Sequence, residues 1–298
     1  MSSNHPLQCF EGLDSNLQLD REPFKVRHKL QDHPALSLVN LQKVIPRLPS
    51  EQVFFSSGSL NKADDFDRAH IDQKSRFSLE ESLEDLRRTN AYIMVRSPEV
   101  DASFKDLFAA MKSDVETVIK AQRLGDHAID PMLFLFIASP QSITPFHIDR
   151  YSTLLLQLQG SKKVYLYPAW DERFCSAKTL EGFMAKSGVR PEYRPDMAPF
   201  ARCFDFGPGE VLHIPFISPH HVENGQGAVS ISLSIIFNTK ESNLKTKALL
   251  MNQQLRRLSS VVPWQPRPIH SDPLTDALKG HAWRVASQVK RLLKLAIP

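Results

Sequence analysis

The 298-residue chain is 42% hydrophobic and carries 37 Lys and Arg against 33 Asp and Glu, a formal charge of +4. That is enough apolar material for one main domain with accessory segments, and the charge is too mildly basic to point to nucleic acid. Three cysteines without paired spacing (Cys9, Cys175 and Cys203) exclude a disulfide framework or zinc module and point to a reducing, cytoplasmic compartment. Met1 to Asp20 has no apolar run of signal-peptide length, and no transmembrane segment is expected.

Residues 1–23 read as an irregular arm. Ala35 to Val44 has helical apolar spacing and is followed by Pro46 and Pro49. Ser78-Leu79-Glu80-Glu81 opens a helix through Arg88, with serine as N-cap. Ala91-Tyr92-Ile93-Met94-Val95 is strand-like. Asp101 to Leu124 is helical, with Phe104, Leu107, Phe108, Met111 and Val115 on one face. A run of short β-prone segments follows: 133–138, 144–149, 153–159, 163–168, 203–206, 210–215, 220–224 and 229–237. Gly160-Ser161 and Gly207-Pro208-Gly209 mark hairpin turns. Trp170 to Met197 interrupts this series as a long insertion. Its Phe174, Lys178, Phe183, Arg190, Tyr193 and Arg194 suit either a substrate-facing lid or a surface cover.

Beyond the strands, Ser242 to Ser259 and Asp276 to Leu295 have helical patterns, separated by the Pro-rich 262–268. The last helix is amphipathic and basic, with Leu278, Trp283, Val285 and Val289 among Lys279, Arg284 and Lys290. Its uses are packing on a twin or on its own domain, with an anionic membrane or nucleic acid as the rarer alternatives. The expected fold is mainly β: a double-stranded β-helix of the jelly-roll or cupin type, with N-terminal helices and a C-terminal helical segment flanking it. Its divisions are an arm at 1–23, a core domain at 24–240 and a C-terminal segment at 241–298.

Within the strand series, His147-Ile148-Asp149 and a later His220 stand at the ends of β-like runs. The pattern alone is weak, because His70-Ile71-Asp72 and His270-Ser271-Asp272 have the same spacing. Those two lie in a polar stretch and a Pro-rich connector and read as solvated loops. Two imidazoles and one carboxylate on one face of a metal leave three adjacent positions open, as non-haem Fe(II) oxygenases require. His221 is the alternative to His220, since adjacent side chains on an extended segment face opposite ways.

With these motifs in the order Thr144-Pro145-Phe146-His147-Ile148-Asp149, Gly160-Ser161-Lys162, Gly207-Pro208-Gly209-Glu210-Val211-Leu212-His213-Ile214-Pro215 and His220-His221-Val222-Glu223-Asn224, the chain resembles the JmjC or cupin-like Fe(II)/2-oxoglutarate dioxygenases, the asparaginyl-hydroxylase type in particular, over about residues 50–240. The resemblance implies that His147, Asp149 and His220 hold iron. It implies that Lys162 pairs with the distal carboxylate of 2-oxoglutarate, supported by hydroxyls of Thr144 and Tyr92. Ser234 stands where relatives carry an asparagine beside the cosubstrate. Lys163 replaces Lys162 if the hairpin register slips by one. Arg150 and Phe146 are expected at the substrate-facing rim. His213 is expected as a substrate contact, a support behind the ligands or a satisfied core histidine.

The implied reaction consumes 2-oxoglutarate and O2, releases succinate and CO2 and hydroxylates a C–H bond of a small molecule or protein side chain. Demethylation shares its first step, whereas Asp149 argues against halogenation. The resemblance also implies a homodimer through the C-terminal helices. Two other classes remain open: a non-catalytic metal-binding cupin acting as sensor or scaffold, and a cupin oxygenase or isomerase that needs no 2-oxoglutarate.

Overall fold

The computed structural model describes residues 7–14, 16–57, 60–64, 81, 91–258 and 264–295. Apart from Glu81, the helix expected from Ser78 to Arg88 lies outside them. The fold is mainly antiparallel β with flanking helices. The strands are β1 (Phe10–Glu11), β2 (Lys25–His28), β3 (Val53–Ser57), β4 (Ala91–Arg96), β5 (Ile129–Ala138), β6 (Ile143–His147), β7 (Ser152–Gln159), β8 (Lys162–Leu166), β9 (Arg202–Phe206), β10 (Glu210–Ile214), β11 (His220–Asn224) and β12 (Ser230–Asn238). Eight of them form a sheet in the order β1-β2-β10-β7-β12-β5-β4-β3, and the other four form a sheet in the order β6-β11-β8-β9.

Alternation explains why the central strands of the large sheet read as unbroken apolar runs. The odd-numbered Ile93, Leu133, Leu135, Ile137, Leu233 and Ile235 are all fully buried on the outer face. There they meet helix α2 (Ala102–Ala121) through its Phe104, Leu107, Met111 and Val115. A large apolar side chain buried in this way contributes about 1.5–3 kcal/mol. The even-numbered Tyr92, Met94, Phe134, Phe136, Ser234 and Ile236 face the other way and line a cavity between the sheets. Helix α2 starts where the Asp101 carboxylate accepts the Ser103 N–H at 2.9 Å. A shorter helix, α1 (Leu38–Val44), covers the same outer face with Leu41 and Val44.

The β7–β8 hairpin turns at Gly160, whose φ of +71° suits glycine. A Cβ at that position would stand 2.6 Å from the Val229 carbonyl oxygen. The turn places Lys162 at the first position of β8, with its side chain buried.

Within the 170–197 insertion lies an unexpected helix, α3 (Ala177–Met184), capped by Ser176 Oγ on the Thr179 N–H at 3.1 Å. The short strands β1, β2 and β3 were also not expected. Helix α4 (Lys240–Leu258) follows β12 directly, and α5 (Pro273–Leu295) packs against it at Gly280. A Cβ on Gly280 would lie 2.5 Å from Leu244 Cδ1, so the absence of a side chain sets how closely the helices approach. Among the described residues no helix is long and apolar enough to cross a membrane.

Candidate metal centre

Strand β6 delivers His147 as its last residue, and β11 delivers His220 as its first, as direct antiparallel partners. The register then slips, because the next pair is Val222 with Thr144. Two residues of β6, Pro145 and Phe146, therefore stand opposite one residue of β11, which defines a β-bulge. The bulge lets Thr144 and His147 both face the cavity although they are three positions apart. Phe146 is turned to the opposite face.

His147 Nδ1 lies 2.7 Å from the Pro145 carbonyl oxygen, and His220 Nδ1 lies 3.0 Å from that of Ser218. A carbonyl only accepts, so both Nδ1 atoms carry the proton and both Nε2 atoms present a lone pair. Each Nε2 lies 3.9 Å from an Asp149 oxygen, and the ring centroids are 4.1 Å apart. One donor atom from each of the three residues falls within 4.8 Å of the others, a spacing that fits one ion. Thr153 Oγ1 donates to Asp149 Oδ2 at 3.3 Å, fixing the carboxylate from behind. Burial, and next the neighbouring His147, pushes His220 down to about 4, so its ring is neutral near pH 7. His221 points away from this group and stacks on Tyr165, with centroids 4.5 Å apart and planes 5° apart.

A cavity of about 220 Å³ extends inward from these residues. Four residues deeper along β8 and β11 than the His220–Leu166 pair, Lys162 pairs with Asn224 across the sheet. Lys162 is 6% exposed, and burial alone lowers its ammonium to about 7. It lines the cavity together with Thr144, Tyr92, Ser234 and Asn224, and Tyr92 hydrogen-bonds Thr144. A buried cation that faces a cavity and lacks a carboxylate partner among the described residues suits an anionic ligand. The arrangement offers three metal ligands at the mouth and a cation at the far end.

A family model described as a cupin-like domain matches residues 12–243. The chain belongs to the cupin-like domain family. Among solved structures, this cupin-like chain is similar to ycfD of Escherichia coli at 16% identity, with a TM-score of 0.49, over 91% of this chain and 65% of that one. It is also similar to YcfD described as a ribosomal oxygenase from Escherichia coli in complex with cobalt and 2-oxoglutarate, at 14% identity and a TM-score of 0.46. That match covers 95% of this chain and 65% of the other. The chain therefore spans about two thirds of the length of these structures. No curated protein matches it by sequence.

The remaining expected site residues of the cupin-like domain fall in different places. Arg150 lines the cavity mouth, donates to the Phe183 carbonyl oxygen at 2.8 Å and lies over the Phe183 ring at 3.8 Å. Phe146 does not reach the cavity. It packs against Tyr167 and Tyr193 at centroid distances of 5.4 and 5.9 Å, because the bulge turns it outward. His213 does not reach it either. It is fully buried, its Nδ1 donates to the Thr153 carbonyl oxygen at 3.0 Å, and its Nε2 accepts the Asp20 N–H at 3.0 Å. Of the readings open to His213, the satisfied core histidine is the one its two bonds describe, and the substrate contact is corrected.

Residues of the 170–197 insertion fall in different surroundings. Phe183 forms part of the cavity wall, whereas Phe174 and Tyr193 pack on the outer aromatic group and Lys178 is exposed. Sequence reasoning missed Asn224, Met94 and Phe136 as cavity residues. Alternation counted outward from Lys162 and Ser234 was the available signal.

Proposed function

We propose that this protein is an Fe(II)- and 2-oxoglutarate-dependent oxygenase that hydroxylates a C–H bond of a small molecule or protein side chain. The balance is substrate C–H plus O2 plus 2-oxoglutarate giving substrate C–OH, succinate and CO2. The observation that carries this reading is Lys162, a buried cation at the far end of a cavity whose mouth holds His147, Asp149 and His220.

The Nε2 atoms of His147 and His220 and the Asp149 carboxylate would hold the metal, a set of three protein ligands rather than a closed cage of four. When bound, the metal and cosubstrate supply the oxidising chemistry that puts one oxygen atom into succinate and one into substrate. Lys162 holds the distal carboxylate, assisted by the hydroxyls of Thr144 and Tyr92. The apolar Leu155, Phe136 and Val222 exclude water from the middle of the cavity. Arg150, Tyr151 and Phe183 border the mouth, where substrate would enter. Arg150 supports a polar or anionic group there.

The same reading takes residues 24–240 as the catalytic unit, a jelly roll, with arm and C-terminal segment as accessories in a cytoplasmic protein. On α5, Leu274, Leu278, Val285 and Val289 are 78, 72, 60 and 49% exposed and share one face, which suits pairing with a second copy.

The test is calorimetric titration of 2-oxoglutarate into Co(II)-loaded protein, followed by succinate assay with Fe(II) in air. Binding that is lost in Lys162→Ala, with succinate lost in Asp149→Ala, supports the reading. Absence of 2-oxoglutarate binding to the metal-loaded protein overturns it.

A further inference from the structure

Asp20 belongs to the N-terminal arm, yet its side chain is only 12% exposed and sits between the two segments that carry the metal ligands. Its carboxylate accepts from Ser152 Oγ at 2.6 and 2.8 Å and from the Phe216 N–H at 2.9 Å. Its own N–H donates to His213, which in turn donates to the Thr153 carbonyl oxygen. The backbone there is left-handed, at φ +61°, a conformation held in place by these contacts.

Both carboxylate partners lead straight to a ligand. Ser152 precedes Thr153, whose hydroxyl holds Asp149 Oδ2. Phe216 is the second residue of the tight turn in which the Ser218 N–H donates to Pro215 O at 3.0 Å, and the Ser218 carbonyl accepts from His220 Nδ1. One carboxylate thus joins the support of Asp149 to the support of His220. Charge-assisted bonds to two N–H or O–H donors are stiffer than neutral ones. We infer that Asp20 is a positioning residue for the metal centre, setting the spacing between Asp149 and His220; this rests on the metal-binding reading above.

The competing account is that Asp20 only pins the arm. The structure supplies a matched control in Asp114 of α2, 3% exposed, which accepts the N–H groups of Gln8 and Cys9 at 3.0 and 2.6 Å. It fastens the same arm to a helix on the outer face of the large sheet.

The experiment is Co(II) titration of the full chain, read by visible absorption, with metal-free unfolding midpoints measured alongside. Asp20→Ala is expected to weaken Co(II) binding about 10–100-fold, the range for supports behind a ligand, with Asp20→Asn between it and the parent. Asp114→Ala is expected to lose stability yet keep its Co(II) affinity within about twofold. If Asp20→Ala fails to fold, Ser152→Ala removes one of the bonds alone and is expected to weaken binding by several-fold. Parent-like affinity in Asp20→Ala, or in Ser152→Ala where that variant stands in, overturns the proposal. So does an equal loss of affinity in Asp114→Ala. A parent protein that binds no Co(II) overturns the metal reading itself, a result distinct from either.

Discussion

His147 and His220 use the same local device: each gives its Nδ1 proton to the carbonyl oxygen two residues earlier in its own chain segment, Pro145 in one case and Ser218 in the other. The matched bonds set both tautomers before any ion arrives. A preformed site of this kind makes metal binding a stabilising event. Co(II) at about 100 times its dissociation constant should raise unfolding free energy by about 2.7 kcal/mol, and a chelator should remove the gain. Denaturant titration of the parent and of His220→Ala checks this; the variant should show no gain.

Stability of the metal-free protein should fall in mild acid. Burial lowers His220 and His221 from 6.5 to about 4. The unfolded chain takes up these protons below about pH 6.5, whereas the folded chain does so only near 4, so stability present above 6.5 is lost as pH falls through that window. A loss on the order of 3 kcal/mol per imidazole is expected. Urea midpoints at pH 7.5 and 4.5 measure it, and equal midpoints would contradict it.

Replacing Lys162 should separate stability from binding in opposite directions. Its ammonium is pushed down to about 7 by burial, so at neutral pH the folded state bears a charging cost that the unfolded state does not. Lys162→Met should stabilise the ligand-free protein by about 1–3 kcal/mol and abolish the stabilisation that 2-oxoglutarate gives the parent. Thermal shift with and without 2-oxoglutarate on Co(II)-loaded protein reads both effects.

The cavity wall formed by α3 is fastened from behind. Glu181 is fully buried and accepts from Arg256 Nε and Nη2 on α4 and from Asn252 Nδ2 at 2.9 Å. Arg256→Met removes two of these three bonds, leaves the buried carboxylate with the Asn252 amide, and should cost about 3 kcal/mol. The double variant Glu181→Gln/Arg256→Met should recover part of the loss. A double-mutant cycle in urea measures the coupling, and additive losses would rule out a paired role.

The strands that carry the site were legible because they are short β-prone runs bounded by turn signals such as Gly160-Ser161 and Gly207-Pro208-Gly209. In β5 both faces are apolar, Leu133, Leu135 and Ile137 on one and Phe134 and Phe136 on the other, so which face meets the cavity was not legible. Lys162 came from the resemblance, with Lys163 as the alternative if the hairpin register slips by one, and the structure has Lys162 buried and Lys163 exposed. Phe146 was misplaced because the bulge at Pro145-Phe146 depends on how β6 registers with β11, some seventy residues later. The bonds of His213 and Asp20 join segments that only the folded chain brings together: Asp20 lies 132 residues from Ser152 and 196 from Phe216. No periodicity announces such pairs. Helix α3 was hidden by length, as eight residues inside a long polar insertion give a weak pattern.

The position of β2 beside β10 has a consequence for solubility. Lys25 to His28 pairs with the otherwise open border of the large sheet, and the two-residue β1 covers β2 in turn. The arm thus ends the sheet in a strand too short to recruit another chain. A protein clipped after residue 28 would display the bare N–H and C=O row of β10, apolar at Val211 and Leu212, as a template for self-association.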